Sequence, residues 1–377
     1  MSRRRSHTAA ARAAGGTLLI LAIAVAAVLV GLHQSPTSPG PSSPSPRASA
    51  TRAKHHKAKH HKAKHARPGG AEHAHARSGP LSLVVEPDAG LGPVYALLRS
   101  ARHSVDVEIY ELEDDQATAI LAADAARGVH VRVLLNEHYV GRYNRPAYSY
   151  LLSHGVAVRW APARFDLTHE KAIVVDGRRV AIMSMNLTAR YYSDTRDFVL
   201  LDGRRADAAA VAATFADDWA DGGLPASSPA GLVWSPGAQD TLVALIDSAR
   251  RRLLVENEEM DDAAVTSALQ AAARRGVQVE VVMTRERSWA AAFSTLARAG
   301  VRVRTYAESA PLYIHAKAIV VDPGSAHARA FVGSQNFSVA SLLYNRELGI
   351  VTTRAALVAA LAAVIGRDGA GATAWRP

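Results

Sequence analysis

The chain repeats itself, and the repeat carries reactive side chains. A His-x-Lys segment occurs at His169-Glu170-Lys171 and again at His315-Ala316-Lys317, and in each copy an aspartate follows the lysine by five residues, Asp176 and Asp322. Ser184-Met185-Asn186 closes the first copy and Gly333-Ser334-Gln335-Asn336 the second. The step from aspartate to serine is eight residues in the first copy and twelve in the second, and the four extra residues fall around Pro323-Gly324-Ser325-Ala326-His327, a turn where insertions are tolerated. Past the serine the register returns: thirteen residues separate Ser184 from Asp197, and thirteen separate Ser334 from Glu347. Two copies in step, each with its own trailing carboxylate, constrain the chain to two similar halves with chemistry on both.

The surrounding pattern agrees. Apolar runs and amphipathic stretches alternate, which predicts strands at Leu81–Glu86, 105–110, 130–136 and Ala157–Trp160 with helices at 94–101, 116–127 and 146–154 between them. Lys171–Val175 and 180–183 read as neighbouring strands joined by a tight Asp176-Gly177 turn, followed by a strand at 197–201 and a helix at 206–219. The second half repeats the order: helices at 239–250, 263–275 and 290–299 and strands at Arg252–Glu256, 278–283 and Arg302–Tyr306. ARGVHVRVLL at 126–135 matches RRGVQVEVVM at 274–283. This alternation predicts an α/β architecture of two pseudo-symmetric halves, 81–226 and 227–377, joined through the Gly/Pro-rich stretch 221–231. Strands apolar along their whole length predict sheets covered on both faces.

Residues 1–80 belong to neither half. Arg3, Arg4, Arg5 and Arg12 precede an uncharged apolar run at 13–32, long enough to span a bilayer, with no further basic residue until Arg47. The segment 1–33 reads as an anchor with the rest of the chain outside. A cleaved signal and secretion is the rival reading, disfavoured because the small-x-small site Ala48-Ser49-Ala50 lies far from the apolar run. Residues 34–80 are first Pro/Ser-rich and then Lys/His-rich (KHHKAKHHKAKH at 54–65), the composition of a solvated linker that attracts anionic polymers or head groups, more strongly as its histidines charge. This tail holds the basicity. Of the +10 net charge, residues 1–80 supply thirteen Lys and Arg against one acid, leaving 31 basic and 33 acidic residues on the remainder. A nucleic-acid partner is therefore disfavoured, because a duplex-binding face needs its cations on the folded part. The absence of cysteine excludes disulfides, thiol catalysis and thiolate-bound zinc. His169 and His315 also lack the spacing of a zinc-hydrolase motif, so no metal or other cofactor is called for.

At these residues the chain resembles the phospholipase D superfamily, whose signature is HxK-x4-D followed by GSxN, over both halves. The second copy matches at every motif position, and the first has Met183 where the family has glycine. The resemblance implies that the halves pack about a pseudo-twofold axis and place both motifs in one site at their interface, so that a monomer holds a complete site. It also implies a phosphodiesterase. A diester is an anion with poor leaving groups, so its cleavage needs cations, a nucleophile and an acid. Lys171, Lys317, Asn186 and Asn336 are suited to clamp the phosphoryl oxygens. One histidine forms a phosphohistidine and the other protonates the leaving oxygen; the family resemblance gives the first role to His169 and the second to His315. Asp197 and Glu347 are candidates to fix the tautomer of those rings, Ser184 and Ser334 to donate to phosphate or to nearby turns, and Asp176 and Asp322 to support the site. The acidic clusters Glu111, Glu113, Asp114, Asp115 and Glu256, Glu258, Glu259 read as a pocket rim or amine site, or equally as solvated loop charge. The substrate expected is a glycerophospholipid at a membrane surface, with phosphatidic acid as product. The alternatives are an extracellular nuclease of the same superfamily and a non-catalytic surface-binding protein that works through its tail.

Overall fold

The computed structural model describes residues 81–222 and 231–377. The apolar segment, the Pro/Ser spacer, the Lys/His tract and most of the 221–231 linker lie outside the described residues. Among the described residues no helix is long and apolar enough to cross a membrane.

The first half runs β1 (Leu81–Glu86), α1 (Gly92–Arg99), β2 (Ser104–Ile109), β3 (Leu112–Glu113), α2 (Asp115–Ala126), β4 (His130–Leu135), α3 (Gly141–Ser153), β5 (Ala157–Trp160), β6 (Lys171–Val175), β7 (Arg179–Met183), β8 (Leu187–Thr188), β9 (Thr195–Asp202) and α4 (Arg205–Trp219). The second runs β10 (Leu232–Ser235), α5 (Ala238–Asp247), β11 (Arg252–Glu256), α6 (Ala263–Arg274), β12 (Gln278–Thr284), α7 (Ala290–Arg298), β13 (Arg302–Tyr306), β14 (Tyr313–Ile314), β15 (Ala318–Val321), β16 (Arg329–Gly333), α8 (Val339–Leu343), β17 (Glu347–Thr352), α9 (Ala355–Gly371) and β18 (Thr373–Ala374). The sheets have matching orders, β1-β9-β7-β6-β2-β4-β5 and β10-β17-β16-β15-β11-β12-β13-β18. In both, the strands joined through helices pair in parallel and those joined by hairpins pair antiparallel, as connection length dictates.

Each sheet is indeed covered twice. One face of the first sheet packs on α1, α2 and α3 through Val94, Leu98, Leu121, Leu151, Val107 and Ile173. The other faces meet each other: Ala172, Val174, Ile182 and Phe198 of the first half share one core with Ala318, Val320, Val332 and Ile350 of the second, closed by residues of α4 and α9. This is why β6 and β15 are apolar on both sides. One expectation needs correction. The helix expected to start at Pro146 starts at Gly141, with the proline inside it. Pro146 forgoes the amide bond to Arg142 and crowds its carbonyl, which is why the sequence favours a start at the proline rather than before it.

The two motif hairpins differ in their turns. In the first, Val175 pairs with Arg179 around Asp176 and Gly177, both left-handed (φ +53° and +59°). In the second, Val321 pairs with Arg329 across the longer loop. Asp176 accepts backbone N–H bonds from Arg102, His103 and Ser104 (3.1, 2.7 and 3.0 Å), and Asp322 accepts them from Arg250, Arg251 and Arg252 (2.9, 2.7 and 2.9 Å). Both aspartates thus tie the far end of a motif strand to the start of its neighbour. They lie at the strand ends away from Lys171 and Lys317, and the support they give is to the backbone of the hairpins.

The departure at Met183 is absorbed by packing. A Cβ on Gly333 would lie 2.5 Å from the Cα of Gly349, its strand partner, and a Cβ on Gly349 would run into the ring of Phe331. In the first half Ala181 stands where the second has Phe331, and Met183 and Val199 stand where it has the two glycines. A large ring over two glycines has been exchanged for a small residue between two larger ones, and all three of Ala181, Met183 and Val199 are fully buried.

Candidate active site

The site is assembled by an exchange between the halves. The segment before Lys171 leaves its own sheet and runs beside residues 345–347 of the second half: Thr168 bridges Arg346, and the His169 N–H donates to the Arg346 carbonyl at 2.9 Å. Reciprocally, Tyr313 and Ile314 pair in parallel with Thr195 and Arg196, and the His315 N–H donates to the Arg196 carbonyl at 3.2 Å. Each histidine is thereby set against the acidic residue of the opposite half. His169 Nδ1 lies 2.9 Å from Glu347 Oε2, and His315 Nδ1 lies 2.9 and 3.1 Å from the two oxygens of Asp197. The carboxylates are fixed in turn. Ser184 donates to Asp197 (2.5 Å) and accepts the Phe198 N–H, while Ser341 and Asn345 donate to Glu347 (2.5 and 3.2 Å). Ser184 therefore serves a carboxylate and the chain beside it, and Ser334 likewise accepts the Leu348 N–H at 3.2 Å.

An arginine precedes each of these acids, and both arginines cross the interface. Arg346 pairs with Asp218 of α4 (2.8 Å), and Arg196 with Asp368 of α9 (2.6 and 3.1 Å). Glu108 and Glu256, at equivalent positions of the two halves, lie beside these ion pairs, and burial raises both carboxyls well above the usual range. The equivalent side chain of each half thus closes the site of the other, an arrangement available only to a paired fold. Glu108, Glu170 and Asp218 bring their oxygens within 4.8 Å of one another, but Arg346 and Arg164 already bind Asp218 there as counter-charges.

Around the rings, Lys171 and Lys317 are fully buried and donate to the carbonyls of His169 and His315. Burial, helped by Lys317, lowers Lys171 to about 7. Burial and the charges of both lysines hold His169 well below its ordinary range, so it is neutral. With Nδ1–H on Glu347, its Nε2 lone pair is free. Asn186 and Asn336 each keep a buried side-chain oxygen with no hydrogen-bond partner among the described residues.

The half-sites differ in what faces each ring. Asp114 and Asp262 cap α2 and α6 in the same way, each accepting the N–H three residues on, so Tyr110 and Glu258, four residues earlier, correspond. Tyr110 lies edge-on to His169 (4.8 Å between ring centres) with Lys171 Nζ over its face (5.3 Å). Glu258 Oε2 instead lies 2.9 Å from Lys317 Nζ, 3.4 Å from Asn336 Nδ2 and 3.5 Å from His315 Nε2. Burial pushes Glu258 up, but His315 and Lys317 outweigh it and hold the carboxyl well below the usual range. His315 thus faces a carboxylate at each ring nitrogen, Asp197 at Nδ1 and Glu258 on the Nε2 side. From the sequence Glu258 reads equally as pocket rim, amine site or loop charge, and Tyr110, Arg196 and Arg346 do not stand out. A usable signal was present, since the arginines recur beside matched acids at a fixed offset.

Known proteins resemble this chain across both halves. The model of the family described as "Cardiolipin synthase, PLD-like domain" matches twice, over residues 94–219 and 242–368. Cardiolipin synthase A of Pseudomonas entomophila (strain L48) is 29% identical over 320 residues, and that of Pseudomonas putida (strain GB-1) 30% over 321; each alignment covers 72% of this chain and 64% of the relative. The chain thus spans a little under two thirds of the length of these relatives. Among solved structures, phosphatidylserine synthase of Haemophilus influenzae Rd KW20 superposes with a TM-score of 0.62 at 13% identity, over 78% of this chain and 87% of that one, a likeness of fold. The doubled motif, the matched sheets and the two family-model matches together place this chain in the phospholipase D-like family, with both of its domain copies in one polypeptide.

Proposed function

We propose that the protein cleaves the head-group phosphodiester of a glycerophospholipid through a phosphohistidine on His169, and passes the phosphatidyl group to water or an alcohol. The observation that carries this is the asymmetry of the ring environments: His169 is neutral with Nε2 free, and His315 stands between two carboxylates. His169 Nε2 attacks phosphorus, and the bond to the head-group oxygen breaks as that oxygen takes a proton from His315 Nε2. In the second step His315 removes a proton from water or an alcohol, whose oxygen attacks phosphorus and releases His169. Lys171, Lys317, Asn186 and Asn336 stabilise the charge on the non-bridging oxygens. Glu347 and Asp197 hold the rings, and the sequence-derived site is otherwise retained without Asp176 and Asp322.

Lipid rather than nucleic acid is favoured by the near-neutral folded region and by the names of the sequence relatives. The apolar segment at 13–32 would hold the enzyme at the membrane, with the folded part outside. The test uses the full chain in detergent micelles containing EDTA, with phosphatidylethanolamine, plasmid DNA and ethanol. Release of ethanolamine with formation of phosphatidylethanol, lost in His315→Ala, is expected. DNA cleavage without lipid turnover would replace lipid by nucleic acid as the substrate.

A further inference from the structure

The proposed chemistry uses a carboxylate on Nδ1 of each histidine but leaves Glu258 unexplained. Its position is unusual for an acid in a site that must bind an anion. Oε2 takes Lys317 Nζ, Asn336 Nδ2 and the reactive Nε2 side of His315, three groups that a phosphoryl oxygen would use. Its side chain is 22% exposed, so it faces the pocket opening more than Lys317, which is fully buried. Oε1 is poorly served. The Tyr313 hydroxyl, with one hydrogen to give, has its oxygen 2.6 Å from Glu286 Oε1 and 3.3 Å from Glu258 Oε1. Glu258 therefore keeps acceptor capacity beside the nitrogen that delivers the leaving-group proton. The first half has nothing comparable, because Tyr110 presents a ring.

We infer that Glu258 is the residue that reads the leaving group: its carboxylate competes with phosphate for Lys317 and Asn336, and once a phosphodiester displaces it, it accepts hydrogen bonds from an ammonium head group on the His315 side. This rests on the lipid phosphodiesterase reading. Displacement lets Oε2 pivot away from Lys317 while Oε1 stays near Tyr313. The carboxylate then lies next to the first atoms beyond the leaving oxygen, where an ethanolamine carries its N–H donors. A quaternary ammonium offers charge without donors, and an anionic head group is repelled by Glu258 and Glu286 together. A role confined to neutralising Lys317 is the competing explanation, and it makes a different forecast.

The experiment compares the full-length protein with Glu258→Gln and Glu258→Ala in detergent micelles. The substrates are phosphatidylethanolamine and bis(p-nitrophenyl) phosphate, whose leaving group has no donor. For Glu258→Gln, kcat/KM on phosphatidylethanolamine is expected to fall about tenfold, mainly through KM, with loss of a charge-assisted hydrogen bond. On bis(p-nitrophenyl) phosphate it is expected to rise several-fold, because an internal competitor has gone. Glu258→Ala should give the same pair of signs. Values that fall together, or do not change, overturn the inference in favour of charge balance. Calorimetric titration with inorganic phosphate supplies a readout independent of turnover. Tighter binding by both variants supports the competition, and weaker or equal binding overturns it. Turnover of the nitrophenyl ester without turnover of any lipid would strike the lipid reading instead, with the signs on phosphate and nitrophenyl ester still deciding the role of Glu258.

Discussion

The half-sites of His169 and His315 share a strand, a lysine, an asparagine and a carboxylate donated by the opposite half, and they differ in what covers the ring. A tyrosine edge lies against His169 and a carboxylate against His315. Burial and two neighbouring lysines keep the first ring uncharged, whereas the other ring meets a second carboxylate on its Nε2 side. In the proposed mechanism the two histidines do different work, and the difference beside them lies in the loop after the second strand of each half, Tyr110 against Glu258.

The comparison breaks most severely at the histidines. His169→Ala and His315→Ala should each lower kcat on phosphatidylethanolamine by about 10⁴. Their behaviour should part on bis(p-nitrophenyl) phosphate, whose leaving group needs no acid. A stoichiometric burst of nitrophenolate without further turnover should appear for His315→Ala, and none for His169→Ala. A burst from the wrong variant would exchange the two roles. Next in size, Met183→Gly, which restores the family glycine, should lower stability by roughly 2–5 kcal/mol in chemical unfolding, because Ala181 leaves the vacated space unfilled. An unchanged midpoint would mean that the halves do not compensate volume as described. Tyr110→Glu gives the first ring the cover of the second. The added charge favours the imidazolium of His169, and kcat should fall about 10²-fold with little change in fold by circular dichroism.

The smallest effect is in the pH profile. His169 attacks when neutral. With its pKa held below the ordinary 6.5, the rate should persist as pH falls through 6.5 and be lost only lower. Lys171, lowered to about 7, carries its charge below that value, so kcat/KM should fall as pH rises through about 7. An acid limb at or above 6.5 would place an ordinary, exposed histidine in the nucleophile's role.

Much of this was legible in the sequence because repetition writes the same constraint twice. The motif strands, the helix order and the candidate pairing of Asp197 and Glu347 with the histidines came from matched spacing. The crossing did not: spacing along the chain says that Glu347 lies thirteen residues from Ser334, and nothing in it says that the ring it holds belongs to the other half. Asp176 and Asp322, expected to support the site, hold the strands rather than the rings. Their fixed distance from the lysines reflects a strand length, and the left-handed turn plus three backbone amides explain it without chemistry. Glu258 was hidden among neighbouring acids, since loop charge and pocket charge look alike until the lysine it meets, 59 residues on, is folded against it.

The most direct measurement is of where the phosphoryl group stays. Full-length His315→Ala, mixed with bis(p-nitrophenyl) phosphate, quenched in alkali and digested, is expected to carry the adduct mass on the peptide containing His169, since the step that removes it needs His315. An adduct on another residue, or a burst of nitrophenolate with no adduct, would contradict the division of roles between the two halves.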